Sequence, residues 1–179
     1  MIILVGIAGS GKGTQAELLA KKLNCPIVST GDLLRNNQDK SEVKAALDSG
    51  VLVGDEILLP LLEAEFSKIG ANKKEFMLDG TPRNVKQAKW LMGKIKKGEL
   101  KFTAIIHFLL NEQTALERLK TRARHDDSDE AIHGRFKFYR QSVLPAVDYF
   151  RDQGLKVHDV DASKTPEVVA ADVEATLKE

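Results

Sequence analysis

Near the start of the chain, Gly6-Ile7-Ala8-Gly9-Ser10-Gly11-Lys12 spaces glycines ahead of a lysine in the pattern G-x-x-x-x-G-K. Glycines let a backbone curl so that successive N–H groups face one centre. At the start of a helix that centre is a site for phosphate oxygens. A lysine closing such a loop can reach the outer phosphates of a nucleoside triphosphate as a point charge. Gly9, Ser10, Gly11, Lys12, Gly13 and Thr14 are therefore candidates for binding a triphosphate. Gly13 occupies the usual Ser/Thr position and Thr14 follows it, a shift of one residue.

Arginine is the other side chain suited to phosphate chemistry. A guanidinium is a planar fork that grips phosphate oxygens in pairs. Arg118 and Arg122 stand four apart and share a face if their segment is helical. Arg124 and Arg135 flank the start of the next helix. Asp79 ends an apolar run, where an unpaired carboxylate is costly. An ion pair with Lys12 or a neighbouring arginine would meet that cost. His125 has no second His or Cys at ligand spacing, and His107, His133 and His158 carry no pattern. Cys25, the only cysteine, excludes an internal disulfide and a four-cysteine zinc site and reads as a small packing residue.

These residues need a scaffold, and the apolar pattern supplies one. Ile2–Val5, Ile27–Ser29, Phe76–Leu78, Ala104–Leu109 and Lys156–Val160 read as strands. Continuous apolar runs suit strands covered on both faces, as in parallel sheets. Helical stripes lie between them: Ala16/Leu19/Ala20/Leu23, Leu58/Leu62/Phe66/Ile69, Ala88/Leu91/Met92/Ile95, Ile132/Phe136/Tyr139/Val143 and Val169/Val173/Leu177. Trp90 lies beside one stripe and reads as packing. Asp127 and Glu130 have capping-box spacing for the helix that ends near Phe150. The expected fold is α/β, a P-loop NTPase-type five-stranded parallel sheet with helices on both faces. Residues 1–179 form one domain. Helices at Asp32–Asn36, Ser41–Leu47 and Glu56–Ile69 fill more chain than one crossover needs, which suggests a substrate-binding excursion there.

The length of 179 residues and 42% hydrophobic content suit one core. Lys and Arg total 27 against 26 Asp and Glu, a net charge of +1, which argues against a broad nucleic-acid or membrane surface. No apolar run is long enough for a membrane span, and Met1–Val5 lacks the basic flank of a signal peptide. The expectation is a cytoplasmic monomer.

Gly6 to Gln15, with its Gly13-Thr14-Gln15 extension, resembles the phosphate loop of adenylate kinases and related nucleoside monophosphate kinases. Three further blocks match in order: Ser29-Thr30-Gly31-Asp32-Leu33-Leu34-Arg35, then Leu78 to Asn84 with Gln87, then Arg118, Arg122, Arg124, Asp126-Asp127 and Arg135. The resemblance implies phosphoryl transfer from ATP to AMP, giving ADP, with Mg2+ held by Asp79 through water; the lone cysteine gives no reason to expect zinc. It assigns Arg35 and Arg83 to the monophosphate's phosphate, and Arg118, Arg122, Arg124 and Arg135 to closing over the transferring group. It also makes 30–59 the monophosphate-binding excursion and 122–127 a reduced lid. Thr30, Gly31, Val51, Leu52, Val53, Gly80, Thr81, Pro82 and Gln87 become the monophosphate pocket, with Thr30 and Gln87 pointing to adenine. Ala162-Ser163-Lys164 resembles the segment beside the adenine of ATP. Asp126 and Asp127 are either helix caps or lid residues. Thr81 stands where the family usually has an aromatic residue, which leaves UMP, CMP or dAMP as alternative acceptors. A nucleotide-binding regulatory protein is the other alternative.

Only Ala123 separates Arg122 from Arg124, so the lid is very short. Weak shielding from water predicts measurable ADP release from ATP and magnesium without any monophosphate, and a raised KM for ATP. A clean blank with an ordinary KM would refute this.

Overall fold

The computed structural model describes residues 1–39, 41, 43–44, 53–122 and 128–178. A five-stranded parallel sheet is built from β1 (Ile2–Gly6), β2 (Ile27–Ser29), β3 (Met77–Asp79), β4 (Ala104–Leu109) and β5 (Val157–Asp161), in the order β2-β3-β1-β4-β5. The strands fall within one residue of the apolar runs read from the sequence. The helices are α1 (Lys12–Leu23), α2 (Thr30–Arg35), α3 (Asp55–Ile69), α4 (Val85–Lys96), α5 (Glu112–Arg122), α6 (Asp129–Phe138), α7 (Leu144–Asp152) and α8 (Pro166–Thr176). A π-helical turn, Tyr139–Val143, joins α6 to α7.

Strand side chains alternate between faces, and β1 shows how that divides the core. Met1, Ile3 and Val5 bury with Leu62, Phe76, Leu91 and Phe150 from the α3, α4 and α7 side. Ile2 and Leu4 bury with Ala16, Leu19, Val169 and Val173 from α1 and α8. Continuous apolarity in β1 is thus the consequence of cover on both faces. A third cluster, Ile7, Ala115, Leu119, Ile132 and Phe136, seats the glycine loop on α5 and α6. Trp90 stacks on Phe66 at 6.0 Å between ring centroids, so it is a packing residue.

Two local readings need correction. Leu23 is exposed, and the buried stripe of α1 ends at Ala20 because the chain turns away through Asn24, at φ 50°. The cap of the long helix is Ser128, whose Oγ accepts from the Ala131 N–H at 3.2 Å; Asp127 lies outside the described residues. Ser and Asp are both good caps, so residue type alone does not separate position 128 from position 127. The expected helix at Ser41–Leu47 also lies largely outside the described residues.

Phe76 is fully buried, with its ring 5.3 Å from that of Phe66. Phe76→Ala should cost about 3–5 kcal/mol of stability. Leu18→Ala, on the exposed face of α1, should stay within about 0.5 kcal/mol. Urea unfolding of both variants checks the contrast; similar losses would show that the core is wrongly drawn.

Candidate active site

The C-terminal ends of β1 and β3 meet side by side, with Leu4 opposite Asp79. The loop leaving β1 therefore curls next to the carboxylate that ends β3. Gly9 has φ +86°, and a Cβ there would stand 2.7 Å from the Ala115 carbonyl oxygen, so the loop can pack on α5 only as glycine. Gly11, also left-handed, is the N-cap of α1. Gly13 and Thr14 are exposed in the first turn, while Ser10 is buried beneath the loop.

The half-buried Lys12 folds back over its own loop. Its ammonium donates to the carbonyls of Gly6 at 2.8 Å and Ile7 at 3.0 Å, with Ser10 Oγ at 3.5 Å. Burial brings its pKa down to about 8; Asp79 pulls the other way, and the positive charges of Arg83 and Arg122 push it further down. The Asp79 carboxyl is pushed up by burial, against the pull of Lys12 and Arg83. Burial also lowers Arg83, opposed by Asp79. Lys12, Asp79, Arg83 and Arg122 thus share one electrostatic neighbourhood. Lys12 and Asp79 influence each other's charge without forming a contact ion pair.

Beyond β3 the chain turns at Gly80, whose φ of +85° carries it past Thr30; a Cβ there would lie 3.1 Å from Thr30 Cβ. Thr30 and Thr81, both buried, share a hydroxyl–hydroxyl hydrogen bond of 2.7 Å. Pro82 is buried beside them. Arg83 Nε donates to the Gly80 carbonyl at 2.8 Å, which aims the guanidinium along the loop. Asn84 caps α4 by accepting from the Gln87 N–H at 2.8 Å. Gln87 Oε1 accepts from the Arg83 N–H at 2.6 Å, and its Nε2 donates to Asp55 Oδ1 at 2.7 Å. At the start of α2, Ser29 Oγ accepts from the Asp32 N–H. The Arg35 guanidinium pairs with Asp32 Oδ1 at 2.5 Å and lies over Gly31. Val53 is buried just before α3.

Arg118 and Arg122 both lie on α5, so the segment is helical and their four-residue spacing puts them on one face. Arg118 is turned to the loop after β5, donating to the carbonyls of Ala162 at 2.8 Å, Ser163 at 3.0 Å and Lys164 at 3.5 Å. Its guanidinium is committed there, at the segment beside the expected adenine of ATP. Lys164 pairs with Asp172 at 2.7 Å. Arg135 lies on α6. Arg124, Val51, Leu52, His125, Asp126 and Asp127 lie outside the described residues.

Two features escaped the sequence reading. Asp55 gave no signal beyond an acidic first turn, yet it holds Gln87. His107, read as patternless, is buried between Asp159 Oδ1 on Nδ1, at 2.7 Å, and the Tyr139 hydroxyl on Nε2, at 2.6 Å. Arg151 grips Asp159 through both carboxylate oxygens. Burial lowers the His107 pKa and raises that of Tyr139 to about 12.

The sequence is similar to known proteins over most of its length. A family model described as adenylate kinase matches residues 4–155. The chain is similar to the adenylate kinase of Mycobacterium tuberculosis, 39% identical over 175 residues, covering 95% of this chain and 94% of the relative. For that of Mycolicibacterium smegmatis the identity is 41% over 166 residues, covering 90% and 91%. For that of Corynebacterium urealyticum it is 36% over 181 residues, covering 98% and 96%.

Lys12 gives the site a pH signature. Its pKa of about 8 leaves it half-deprotonated at that pH. A polyphosphate placed against it favours the charged form, so binding raises the pKa and takes up protons. Calorimetry of ATP binding in two buffers of different ionisation heat should show uptake of about half a proton at pH 8, fading towards pH 6.5. Equal heats in both buffers at pH 8 would rule this out.

Proposed function

The chain belongs to the adenylate kinase family and is a phosphotransferase acting on nucleoside monophosphates; we propose that its acceptor is AMP and that the residues divide the work as follows. The backbone of Gly9–Thr14 and the ammonium of Lys12 hold the β and γ phosphates of ATP, with Lys12 exchanging the carbonyls of Gly6 and Ile7 for phosphate oxygens. Arg35 and Arg83 hold the phosphate of AMP. Arg122, Arg124 and Arg135 close on the group in transfer. Arg118 and the backbone of 162–164 flank the adenine of ATP. Thr30 and Gln87 read the base of AMP, walled by Val51, Leu52 and Val53, with Gly31, Gly80, Thr81 and Pro82 shaping the turn. Phosphoryl transfer asks mainly for positioning and charge neutralisation, so no general base is assigned.

The observation that carries this reading is the shared field of Lys12, Asp79, Arg83 and Arg122, excess positive charge beside a glycine loop. A carboxylate next to a phosphate site suits Mg2+, which keeps most of its waters and takes its other ligands from the substrate. Asp79 would hold it through water, and the ion supplies charge neutralisation on the phosphate oxygens. Among the described residues no group of three or more His, Cys, Asp or Glu converges as a metal site, which suits an ion arriving with ATP. Residues 30–59 would close over the AMP. We also read the protein as a cytoplasmic monomer; burial holds the pKa of the Cys25 thiol up, as expected of a packing residue.

A coupled assay with ATP, magnesium and each monophosphate in turn tests the assignment. AMP should be the preferred acceptor, and Lys12→Ala should lower kcat by about 10²–10³-fold, the scale for losing one preorganised group at a developing charge. Preference for UMP or CMP would displace AMP, and ATP binding without turnover would remove the catalytic assignment altogether.

A further inference from the structure

Gln87 is 2% exposed, and hydrogen bonds to Arg83, Asn84 and Asp55 pin it. It is the third residue of α4, and its backbone N–H is held by the cap, Asn84. In a capping box a glutamine at this place reaches back to the N–H of the cap residue. Here it reaches one residue further, to the N–H of Arg83. Its other end meets Asp55, whose side chain is only 12% exposed and sits in the first turn of α3. Asp55 Oδ1 also receives Asn84 Nδ2 at 3.4 Å, while Oδ2 faces Lys86 at 3.6 Å.

The chemistry of these partners fixes which end of the amide is which. The Arg83 N–H is only a donor, so it must face Oε1. A carboxylate is only an acceptor, so it must face Nε2. Turning the amide over would set donor against donor and oxygen against oxygen, losing two bonds at once. After these bonds Gln87 retains one N–H and one oxygen lone pair for a ligand, in a fixed order. That order discriminates between bases. A 6-amino purine offers a donor at position 6 and an acceptor at N1, whereas a 6-oxo purine offers the reverse. A freely turning amide pairs with either edge, and a locked one pairs with a single pattern.

We propose that Asp55 is a specificity-determining residue: it locks the orientation of the Gln87 amide and thereby selects a 6-amino over a 6-oxo purine monophosphate. This rests on the reading of Gln87 as a base contact. Asp55 does not itself touch the nucleotide; it acts through Gln87 as a positioning residue.

The test compares kcat/KM for AMP and for inosine monophosphate in the full-length protein and in Asp55→Asn, Asp55→Ala and Gln87→Leu. In Asp55→Ala only the Arg83 N–H still orients the amide, whereas in Asp55→Asn the side-chain oxygen can still accept from Gln87 Nε2 but the new amide can itself turn. The AMP-to-IMP ratio should fall about tenfold in Asp55→Ala, the scale of one hydrogen bond to a charged group, and by less in Asp55→Asn, while KM for ATP stays unchanged. Equal losses for both monophosphates, leaving the ratio as in the parent, would overturn the lock. An unchanged ratio in Gln87→Leu would instead remove the base-contact reading on which the lock stands. If the Asp55 variants do not fold, hydrogen exchange of side-chain amides decides in the parent protein. A slowly exchanging glutamine NH2 pair that Gln87→Leu abolishes supports the lock; exchange as fast as that of exposed glutamines overturns it.

Discussion

Lys12, Asp79 and Arg83 are all displaced towards their neutral forms, the two cations downwards and the carboxyl upwards, with burial as the leading cause in each. Attraction between them does not repay the loss of water. The cluster carries more positive than negative charge, and Arg122 adds to that imbalance around Lys12. Such a site holds its dipoles and charges in place before any substrate arrives, at a cost borne by the rest of the fold. A polyanion relieves that cost. Binding and electrostatic preorganisation therefore arise from the same unfavourable arrangement, and the remaining structure can be understood by how it keeps the arrangement from relaxing.

The sheet does most of this. Because β3 lies beside β1 in parallel, both strands release their chains at the same edge, and Asp79 arrives next to the glycine loop without any local device. The loop cannot drift, since Gly9 is pressed to the carbonyl of Ala115 and Ile7 is buried with Leu119 and Phe136. Arg118 then ties α5 to the loop after β5 through three backbone carbonyls. On the far side, His107 joins the sheet to the π turn through Tyr139, and to β5 through Asp159. The helix bearing Arg135 runs directly into that turn, so a buried histidine fixes one end of an arginine-bearing element to the sheet.

The strands were legible because burial on both faces leaves unbroken apolar runs, and the glycine loop because its chemistry needs a fixed spacing within one short segment. The arginine spacing on α5 was legible in the same way. What Arg118 touches was not, since its acceptors are backbone carbonyls more than forty residues away that any side chains could frame. His107 was invisible for a related reason. Its partners come from a neighbouring strand and from a π turn, and neither proximity leaves a period in the sequence. Asp55 looked like an ordinary acid at a helix N-terminus; its bond to Gln87 spans thirty-two residues and exists only because α3 and α4 meet at their first turns.

Thr30 and Gln87, the two residues expected to read the base, both spend part of their hydrogen-bonding capacity inside the protein. Thr30 is bonded to Thr81, and Gln87 to Arg83 and Asp55. On the proposed assignment that is a gain in selectivity. A buried polar group with all its options open accepts any partner of suitable size, whereas one whose orientation is already fixed leaves a mismatched ligand with an unpaired donor or acceptor out of water. The threonine at 81 fits the same logic. An aromatic ring there would pack against the turn but could not hold the Thr30 hydroxyl, so the small hydroxyl residue trades packing area for a fixed direction at Thr30. On the proposed assignment, the pocket's selectivity would depend on the partners behind Thr30 and Gln87 as much as on those two residues.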